Sequence, residues 1–330
     1  MDTSDLPNLE STSPEKPTPS LSDRSLADID ETSLPSHLGP IVKSLAELKP
    51  DVFNAIETYE PSANIRRSPI VLSCPHAGRI YPAEFIAASI ADLTDLRGLE
   101  DFAVDQLIGG TLKHGVTCII NKIARAYIDV NRPIDALDHL MLRSPPKNKN
   151  FKSSRQVQAG YGLLPRLTAG REIIHRQLLP PKEVENRISL VHSHYHHAIQ
   201  SALDYAQKKF HRSILIDCHS MPPTDQQNRP LPDFILGDLH HNTLDQKIGN
   251  KVAATIRNAG YSVSWNTPYA GGHITRSYGK LNTTQQSVQI EVNRRLYMPR
   301  KYILDSKGAQ KVAVLLSKIS FVLSEIALTS

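Results

Sequence analysis

The sequence contains only three cysteines, Cys74, Cys118 and Cys218, among its 330 residues. Three thiols are too few for the disulfide framework that stabilises small secreted domains. Each cysteine lies in or beside an apolar run, as Cys218 does after Ile214-Leu215-Ile216. We therefore predict three buried, reduced thiols rather than catalytic nucleophiles.

The sequence also lacks a continuous apolar run of about 18 residues, the length that a membrane span requires. Its first residues, Met1-Asp2-Thr3-Ser4-Asp5, have neither the basic nor the apolar region of a signal peptide. Zinc-finger spacing and RNA-binding aromatic motifs are absent as well. These absences predict a cytoplasmic protein that binds neither membrane nor nucleic acid, and they leave its oligomeric state unknown.

Charge is distributed unevenly along the chain. The formal net charge is +5, yet residues 1–40 contain eight acidic side chains against Lys16 and Arg24. This segment therefore carries −6 and the remainder +11. A basic body is suited to a small anionic substrate that is drawn into a cationic cleft.

Composition divides the chain into two parts. Residues 1–45 are rich in Ser, Pro, Thr and acidic side chains and lack sustained hydrophobic periodicity, which predicts a disordered leader. Over residues 46–330, strand-like apolar runs alternate with amphipathic helical segments, without a linker-like interruption. We predict one α/β domain over 46–330, a three-layer αβα sandwich around a mixed, largely parallel sheet.

Polar side chains follow several of the predicted strands at the point where each strand ends. In Ile214-Leu215-Ile216-Asp217-Cys218-His219, an aliphatic run leads directly into a carboxylate and a histidine. Because ligands bind at the carboxyl ends of strands in open α/β sheets, His219 is placed to hold a metal or to transfer a proton. The corresponding residues near other strands are His76, Asn131 with Arg132, His273 with Arg276, and Glu291.

Two of these residues, His76 and His219, fit a catalytic zinc site. Such a site needs three protein ligands, which are commonly histidines and a carboxylate. The third ligand is sought in the acidic start of the helix after the His76 loop, at Glu100 or Asp101. These acids could instead complement a helix dipole, an effect worth about 0.3–1 kcal/mol each. The residues alone leave both interpretations open.

Seven motifs occur in one order between about residues 68 and 300. They are Ser73-Cys74-Pro75-His76-Ala77-Gly78 with Tyr81-Pro82, Asp101 with Val104-Asp105, Asp129-Val130-Asn131-Arg132-Pro133, Gly162-Leu163-Leu164-Pro165-Arg166, Ile216-Asp217-Cys218-His219-Ser220-Met221-Pro222, Gly272-His273-Ile274-Thr275-Arg276-Ser277-Tyr278-Gly279, and Gln289-Ile290-Glu291-Val292-Asn293-Arg294. Together they resemble the N-formylglutamate amidohydrolase family. The resemblance implies a zinc carboxypeptidase-like (phosphorylase/hydrolase-like) fold and a zinc-dependent enzyme that releases formate from N-formyl-L-glutamate in histidine catabolism. It does not extend to residues 1–45.

The resemblance also implies a catalytic centre. In it, Zn²⁺ or another divalent metal is held by His76, Asp101 and His219, with Glu100 as the alternative to Asp101. Glu291 resembles the carboxylate that activates water in this fold. Asp217 or Asp105 is expected to orient the imidazole of a ligand histidine by bonding the ring nitrogen that does not bind the metal.

Substrate binding is assigned in the same way to an asparagine and three arginines. Asn131 and Arg132 resemble the pair that holds the substrate carboxylate, and Arg166 and Arg276 are candidates for a second carboxylate. Arginine suits this role because its planar guanidinium bonds a carboxylate through two nitrogens. The implied partner is a small anionic amino-acid substrate, and His273 is assigned only as a candidate substrate contact.

Two alternatives to this assignment remain. The substrate could be another N-acyl amino acid or a carboxypeptidase-like peptide, because pockets vary among related enzymes. The chain could also be a non-catalytic binding protein whose acidic leader and basic body meet a partner. The presence of both histidines, an acid and Glu291 disfavours the non-catalytic alternative.

Overall fold

The computed structural model describes residues 38–49, 53–144 and 154–329. Its strands are β1 (Ile41–Lys43), β2 (Ile56–Tyr59), β3 (Ile70–Cys74), β4 (Ile80–Pro82), β5 (Thr117–Asn121), β6 (Ser213–Met221), β7 (Phe234–Gly237), β8 (Val263–Trp265) and β9 (Gln285–Asn293). Seven of them form one sheet in the order β2-β5-β3-β6-β9-β7-β8. The β2–β5 and β7–β9 pairs are antiparallel, and the other pairs are parallel. The prediction of a mixed, largely parallel sheet is therefore confirmed.

Helices cover both faces of this sheet. They are α1 (Ala83–Ala88), α2 (Leu93–Leu96), α3 (Val104–Leu107), α4 (Arg155–Gln158), α5 (Pro181–Arg187), α6 (Ser193–Phe210), α7 (Gln246–Asn258), α8 (His273–Tyr278) and α9 (Ser306–Thr329), and a π-helical turn over Ile188–His192 joins α5 to α6. One hydrophobic core lies between the sheet and helices α3, α7 and α9, and a second lies between the sheet and α6. The expected three-layer α/β architecture is thus confirmed.

Strand β6 runs through the centre of the sheet, and all nine of its residues are buried. Successive residues of a strand point to opposite faces. Ile214 and Ile216 belong to the core under α7 and α9, whereas Leu215 belongs to the core under α6. Asp217 and His219 therefore lie on the α6 side, and Cys218 lies on the opposite side among apolar residues.

The three cysteines are buried and unpaired, as the sequence predicts. Burial raises the pKa of the Cys118 thiol to about 12 and raises the pKa values of Cys74 and Cys218 well above the ordinary value. Protonated, enclosed thiols are poor nucleophiles.

Helix α9 is long and apolar enough to cross a membrane by length and composition alone. Half of its most apolar stretch is buried inside the protein, however, where Val312, Leu316 and Ile319 pack in the core. The core helix of a soluble protein passes the same test, so this helix is weak evidence for a membrane span.

The amino-terminal segment enters the described structure at residue 38. Ile41–Lys43 forms β1, which pairs in parallel with β4 although these residues belong to the segment predicted as a leader. The rest of that predicted leader, residues 1–37, lies outside the described residues.

Candidate active site

The central strands place His219 beside Glu291. In the parallel register of β6 and β9, His219 is paired with Glu291, and Asp217 is paired with Gln289. Paired residues project from the same face of strands that lie about 4.8 Å apart. Only 4% of His219 and 6% of Glu291 is exposed. The candidate ligand and the candidate base therefore share one buried environment.

His76 and Asp101 join His219 at this edge of the sheet. His76 lies two residues after β3, and its carbonyl oxygen accepts a hydrogen bond from the Asp101 N–H at 2.9 Å. Asp101 Oδ2 is 2.8 Å from His219 Nδ1 and 3.4 Å from His76 Nδ1. One candidate ligand atom from each of the three residues lies within 4.8 Å of the others. The structure thus gathers the three predicted ligands into one group.

The second nitrogen of each imidazole contacts a buried carboxylate. His76 Nε2 is 2.7 Å from Asp129 Oδ1, and His219 Nε2 is 3.2 Å from Asp217 Oδ2. In metal sites, a carboxylate in this position fixes the ring orientation and leaves the other nitrogen for the ion. The Nδ1 atom of His76 is buried and has no hydrogen-bond partner among the described residues. Both rings therefore direct Nδ1 toward Asp101.

Surrounding carboxylates favour positive charge between the two rings. Burial would raise the pKa of Asp101, but the hydrogen bond from His219 and the nearby His76 ring hold it well below the ordinary value. Burial would lower the pKa of His219, but the charge of Asp217 and the hydrogen bond to Asp101 raise it well above the ordinary value. The negative charges of Asp101 and Asp217, which keep a proton on His219, would also attract a cation bound between the rings.

Glu291 differs from Asp101 in its ionisation. Its Oε1 accepts a hydrogen bond from Gln289 Nε2 at 2.8 Å. Burial raises the pKa of Glu291 to about 7, and the positive charge of protonated His219 opposes this rise. A carboxyl group with a pKa near neutrality can both accept and return a proton, which is the property of a general acid–base residue.

The structure separates the two candidate acids at positions 100 and 101. Glu100 accepts hydrogen bonds from the Tyr81 hydroxyl at 2.6 Å and from Arg97 Nε at 3.1 Å. Its carboxylate is therefore engaged by these side chains, whereas Asp101 turns toward the histidines. Asp105, the second candidate for orienting an imidazole, instead forms a two-pronged ion pair with Arg79 at 2.8 and 2.9 Å.

Asn131 is held between the histidine group and α8. Its Nδ2 lies 3.0 Å from His219 Nε2 and 3.3 Å from Asp217 Oδ2. Its Oδ1 accepts a hydrogen bond from the Ile274 N–H at 2.8 Å. Asn131 is consequently fixed from two sides, and it links α8 to the His219 ring.

Gly272 provides the space for this asparagine. A Cβ atom at position 272 would lie 2.5 Å from both Nδ2 and Oδ1 of Asn131. Because the amide is held at both ends, we expect Gly272→Ala to destabilise the fold by about 1–3 kcal/mol and to weaken metal binding. Thermal unfolding and a metal titration would measure both effects.

The matched control for this substitution is Gly170→Ala, because a Cβ there would meet only Thr168 Oγ1 at 3.7 Å. The double variant Gly272→Ala/Asn131→Ala should lose less stability than the sum of the single changes, since the clash is then removed. Additive losses would show that the crowding at Asn131 is not the cause.

The three predicted substrate arginines have different surroundings. Arg132 is mostly buried, with Nε donating to the Tyr161 carbonyl and Nη1 to the Asn131 carbonyl, both at 2.9 Å. Arg166 pairs with Asp138 at 2.7 Å, and Arg276 is exposed on α8. Asn131 and Arg132 thus lie next to the His76–Asp101–His219 group, whereas neither Arg166 nor Arg276 forms a hydrogen bond or ion pair with it among the described residues.

Two further residues of the site had no role in the sequence-based assignment. Asp129 contacts His76, and Arg125 Nε donates to the other oxygen of Asp129 at 2.8 Å. Asp129 could have been singled out as the acid that interrupts the apolar run at 126–130. Asn131 and Arg132 were predicted to follow a strand, but residues 126–130 before them form turns and irregular backbone, in which the Asp129 N–H donates to the Leu163 carbonyl.

A second histidine group lies on the other side of Asn131. It consists of His192, His196 and His273, one nitrogen of each ring lying within 4.8 Å of the others. Burial lowers the pKa of His192, lowers that of His196 to about 3 and lowers that of His273 to about 4. These rings are therefore neutral at pH 7, in contrast to His219.

An α/β domain that gathers two histidines and two carboxylates at the ends of its central strands contains the groups of an amide-bond hydrolase. The family model for N-formylglutamate amidohydrolase matches residues 68–298, which include both histidines and both carboxylates. The chain belongs to this family.

Known proteins agree with the family match. The chain is 28% identical over 242 residues to an N-formylglutamate deformylase of Pseudomonas putida, covering 70% of this chain and 82% of that protein. It is 29% identical over 259 residues to the deformylase of Pseudomonas aeruginosa, covering 75% and 90%. A crystal structure of N-formylglutamate amidohydrolase from Ralstonia eutropha JMP134 superposes with a TM-score of 0.77 at 29% identity, covering 83% of this chain and 98% of that one.

Proposed function

We propose that this enzyme hydrolyses the N-formyl amide of an acidic amino acid, with N-formyl-L-glutamate as the first candidate, and releases formate and glutamate. The observation that carries the proposal is the burial of Glu291 beside the His76–Asp101–His219 group, in a chain of this family. The basic body outside residues 1–40 suits a substrate with two carboxylates.

The histidine group fits a divalent metal, with Zn²⁺ the first candidate. A buried imidazole nitrogen without a hydrogen-bond partner, His76 Nδ1, points to a missing ligand. Two histidines and one carboxylate are a donor set that zinc accepts, and Mn, Co or Fe also bind such sets. An ion held by these residues would supply Lewis acidity, which acidifies water and polarises a carbonyl oxygen.

The protein's own contribution to the chemistry centres on Glu291. Its carboxylate accepts a proton from the attacking water, and the resulting acid returns that proton to the nitrogen that leaves the formyl group. The pKa near 7 suits both steps, because neither protonation state is strongly favoured at neutral pH. Burial of Glu291 also excludes bulk water that would otherwise stabilise its ionised form.

Substrate orientation is assigned to an asparagine and to arginines around the His76–Asp101–His219 group. The carboxylate beside the amide is assigned to Asn131, which contacts His219, and to Arg132, which donates to the Asn131 carbonyl. Arg125, whose guanidinium contacts Asp129, adds positive charge near Asp101 and Glu291. Arg166 and Arg276 remain candidates for the second carboxylate of the substrate.

The proposal is tested by measuring formate release from a panel of N-acyl amino acids, with and without a chelator. We expect N-formylglutamate to be the best substrate, N-formylglutamine to be poor, and the chelator to abolish turnover until metal is restored. Preference for an apolar or longer acyl amino acid would instead support a different N-acyl substrate. Chelator-resistant turnover would overturn the metal assignment.

The second carboxylate can be located with single arginine variants. If Arg166 or Arg276 binds it, replacing that residue with Ala removes a charge-assisted hydrogen bond worth about 1.5–3 kcal/mol, roughly a 10- to 150-fold loss. The loss should appear in kcat/KM for N-formylglutamate but not for N-formylglutamine. Equal losses for both substrates would mean that the arginine acts through the fold rather than through this carboxylate.

A further inference from the structure

His192 and His196 lie on one face of a continuous helix, since they are four residues apart across the junction of the π-helical turn and α6. Their ring centroids are 4.3 Å apart. His273, the first residue of α8, faces them from another element, with its ring 5.3 Å from that of His196. Three imidazoles from two elements thus converge in one place.

Backbone carbonyls fix the orientation of the two helical rings. His192 Nε2 is 2.9 Å from the Arg132 carbonyl oxygen, and His196 Nε2 is 2.9 Å from the Val130 carbonyl oxygen. A carbonyl oxygen only accepts, so each Nε2 carries the proton, and each Nδ1 carries the lone pair. Metal-binding histidines commonly have this arrangement, with the distal N–H bonded to a carbonyl or carboxylate.

The other polar contacts of the group can adjust to a bound ion. The Tyr278 hydroxyl lies 2.8 Å from His196 Nδ1, and it also lies 3.2 Å from the His196 carbonyl oxygen. Its proton can therefore turn to the carbonyl when Nδ1 is used elsewhere. The ring of His273 contacts only the exposed Ser277 hydroxyl among the hydrogen bonds of the described residues, with Nδ1 at 3.2 Å.

We propose that His192, His196 and His273 form a second metal site, for a divalent transition ion that prefers imidazole nitrogen. Zn²⁺, Cu²⁺ and Ni²⁺ belong to this class, and hard ions such as Mg²⁺ and Ca²⁺ do not. With metal–nitrogen bonds of about 2.1 Å, the nitrogens would draw together to about 3.4 Å. Small rotations of the rings supply this movement, because His196 and His273 are only partly buried.

Such an ion would affect the loop at residues 130–132, which contacts the His76–Asp101–His219 group. The two carbonyls that hold His192 and His196 belong to residues 132 and 130, on either side of Asn131. The same asparagine accepts a hydrogen bond from Ile274, the neighbour of His273. The second ion would therefore hold α6, α8 and residues 130–132 together. Its role would be to position Asn131 and not to take part in catalysis.

The test counts ions on the full chain. Protein stripped with a chelator is loaded with Zn²⁺, desalted and analysed for metal per chain. We expect two ions for the unaltered protein and one for His192→Gln/His196→Gln, in which the amides still donate to the two carbonyls. His197→Gln, an exposed neighbour on the same helix, is the matched control and should retain two.

Further variants separate this proposal from the assignment of the first site. His273→Ala alters only α8 and should also lose one ion, and circular dichroism verifies that each variant is folded. If the unaltered protein and His192→Gln/His196→Gln hold equal numbers of ions, the second site does not exist. If the unaltered protein holds one ion that His192→Gln/His196→Gln loses and His219→Ala keeps, the second site stands and the first fails.

Discussion

Replacing Glu291 with Gln is expected to lower kcat for formate release by about 10²–10⁴-fold, the range that a lost general acid–base residue produces. The substitution keeps the size of the side chain and its place beside His219 in the β6–β9 register. It removes only the capacity to accept and return a proton. Metal content should remain that of the unaltered protein, because Glu291 is not one of the three candidate ligands His76, Asp101 and His219.

A pH profile sharpens this prediction. Below the pKa of Glu291 the carboxyl group is protonated and cannot act as a base, so activity should fall on the acid side of the profile. Burial places the pKa at about 7, and a bound cation nearby would lower it, so the acid limb should lie at or below pH 7. The residual activity of the Gln variant should lack this limb.

Glu325→Gln, an exposed substitution on α9, is the matched control for charge and chemistry, and it should leave kcat and the profile unchanged. If Glu291→Gln retains full turnover with its metal in place, Glu291 is not the base. If it loses the metal as well, its carboxylate contributes to ion binding, and the proton transfer must be assigned to another group.

The placement of His219 on a central strand could be predicted from the sequence because the cause is local. The aliphatic run that changes abruptly into Asp, Cys and His indicates a central strand, which in the structure continues through these residues to Met221, and strand periodicity decides which of them share a face. The structure agrees, since Asp217 and His219 lie on the α6 side and Cys218 lies in the opposite core. Local patterns carry this much information without any knowledge of strand pairing.

The choice between Glu100 and Asp101 shows what local patterns cannot supply. The two acids are adjacent, and only tertiary contacts decide which one turns toward the histidines. Tyr81 and Arg97 hold Glu100, and backbone contact with His76 places Asp101. The proximity of His219 to Glu291 likewise depends on the pairing of β6 with β9, which lie some 70 residues apart in the chain. A single sequence does not specify which strands pair.

The second histidine group was missed for the same reason. His192 and His196 are four residues apart, but the helix that carries them is rich in histidines, so the spacing alone does not distinguish them from exposed neighbours. His273 belongs to a glycine-rich loop and helix start far along the chain. Only the packing of α8 against α6 brings the three rings together.

Replacing His219 with Ala is expected to abolish both metal binding at the first site and formate release. The variant removes one of the three grouped ligands and leaves Asp101 and Asp217 buried without the imidazole that both contact. Two remaining donors hold a divalent ion poorly. Asp101 keeps its ion pair with Arg294 and Asp217 its hydrogen bond from Ser73, but both carboxylates lose the imidazole that lies between them. Competition with a fluorescent chelator measures the affinity, and the formate assay measures the activity.

Asp217→Asn is the graded counterpart of this variant, because it keeps His219 and removes only the carboxylate behind its Nε2. The expected effect is a 10- to 100-fold weaker metal affinity, with activity recovered at saturating metal. His211→Ala, an exposed histidine at the end of α6, is the control and should bind metal normally.

If His219→Ala still binds the ion with unchanged affinity and turns over substrate, the centre must lie elsewhere, and the His76–Asp101 contact then has only a structural role. If Asp217→Asn loses as much metal affinity and activity as His219→Ala, the Asp217 carboxylate is required for the site to form and does not merely strengthen metal binding. The reason would be that a neutral amide cannot orient the His219 ring when a cation is bound to it.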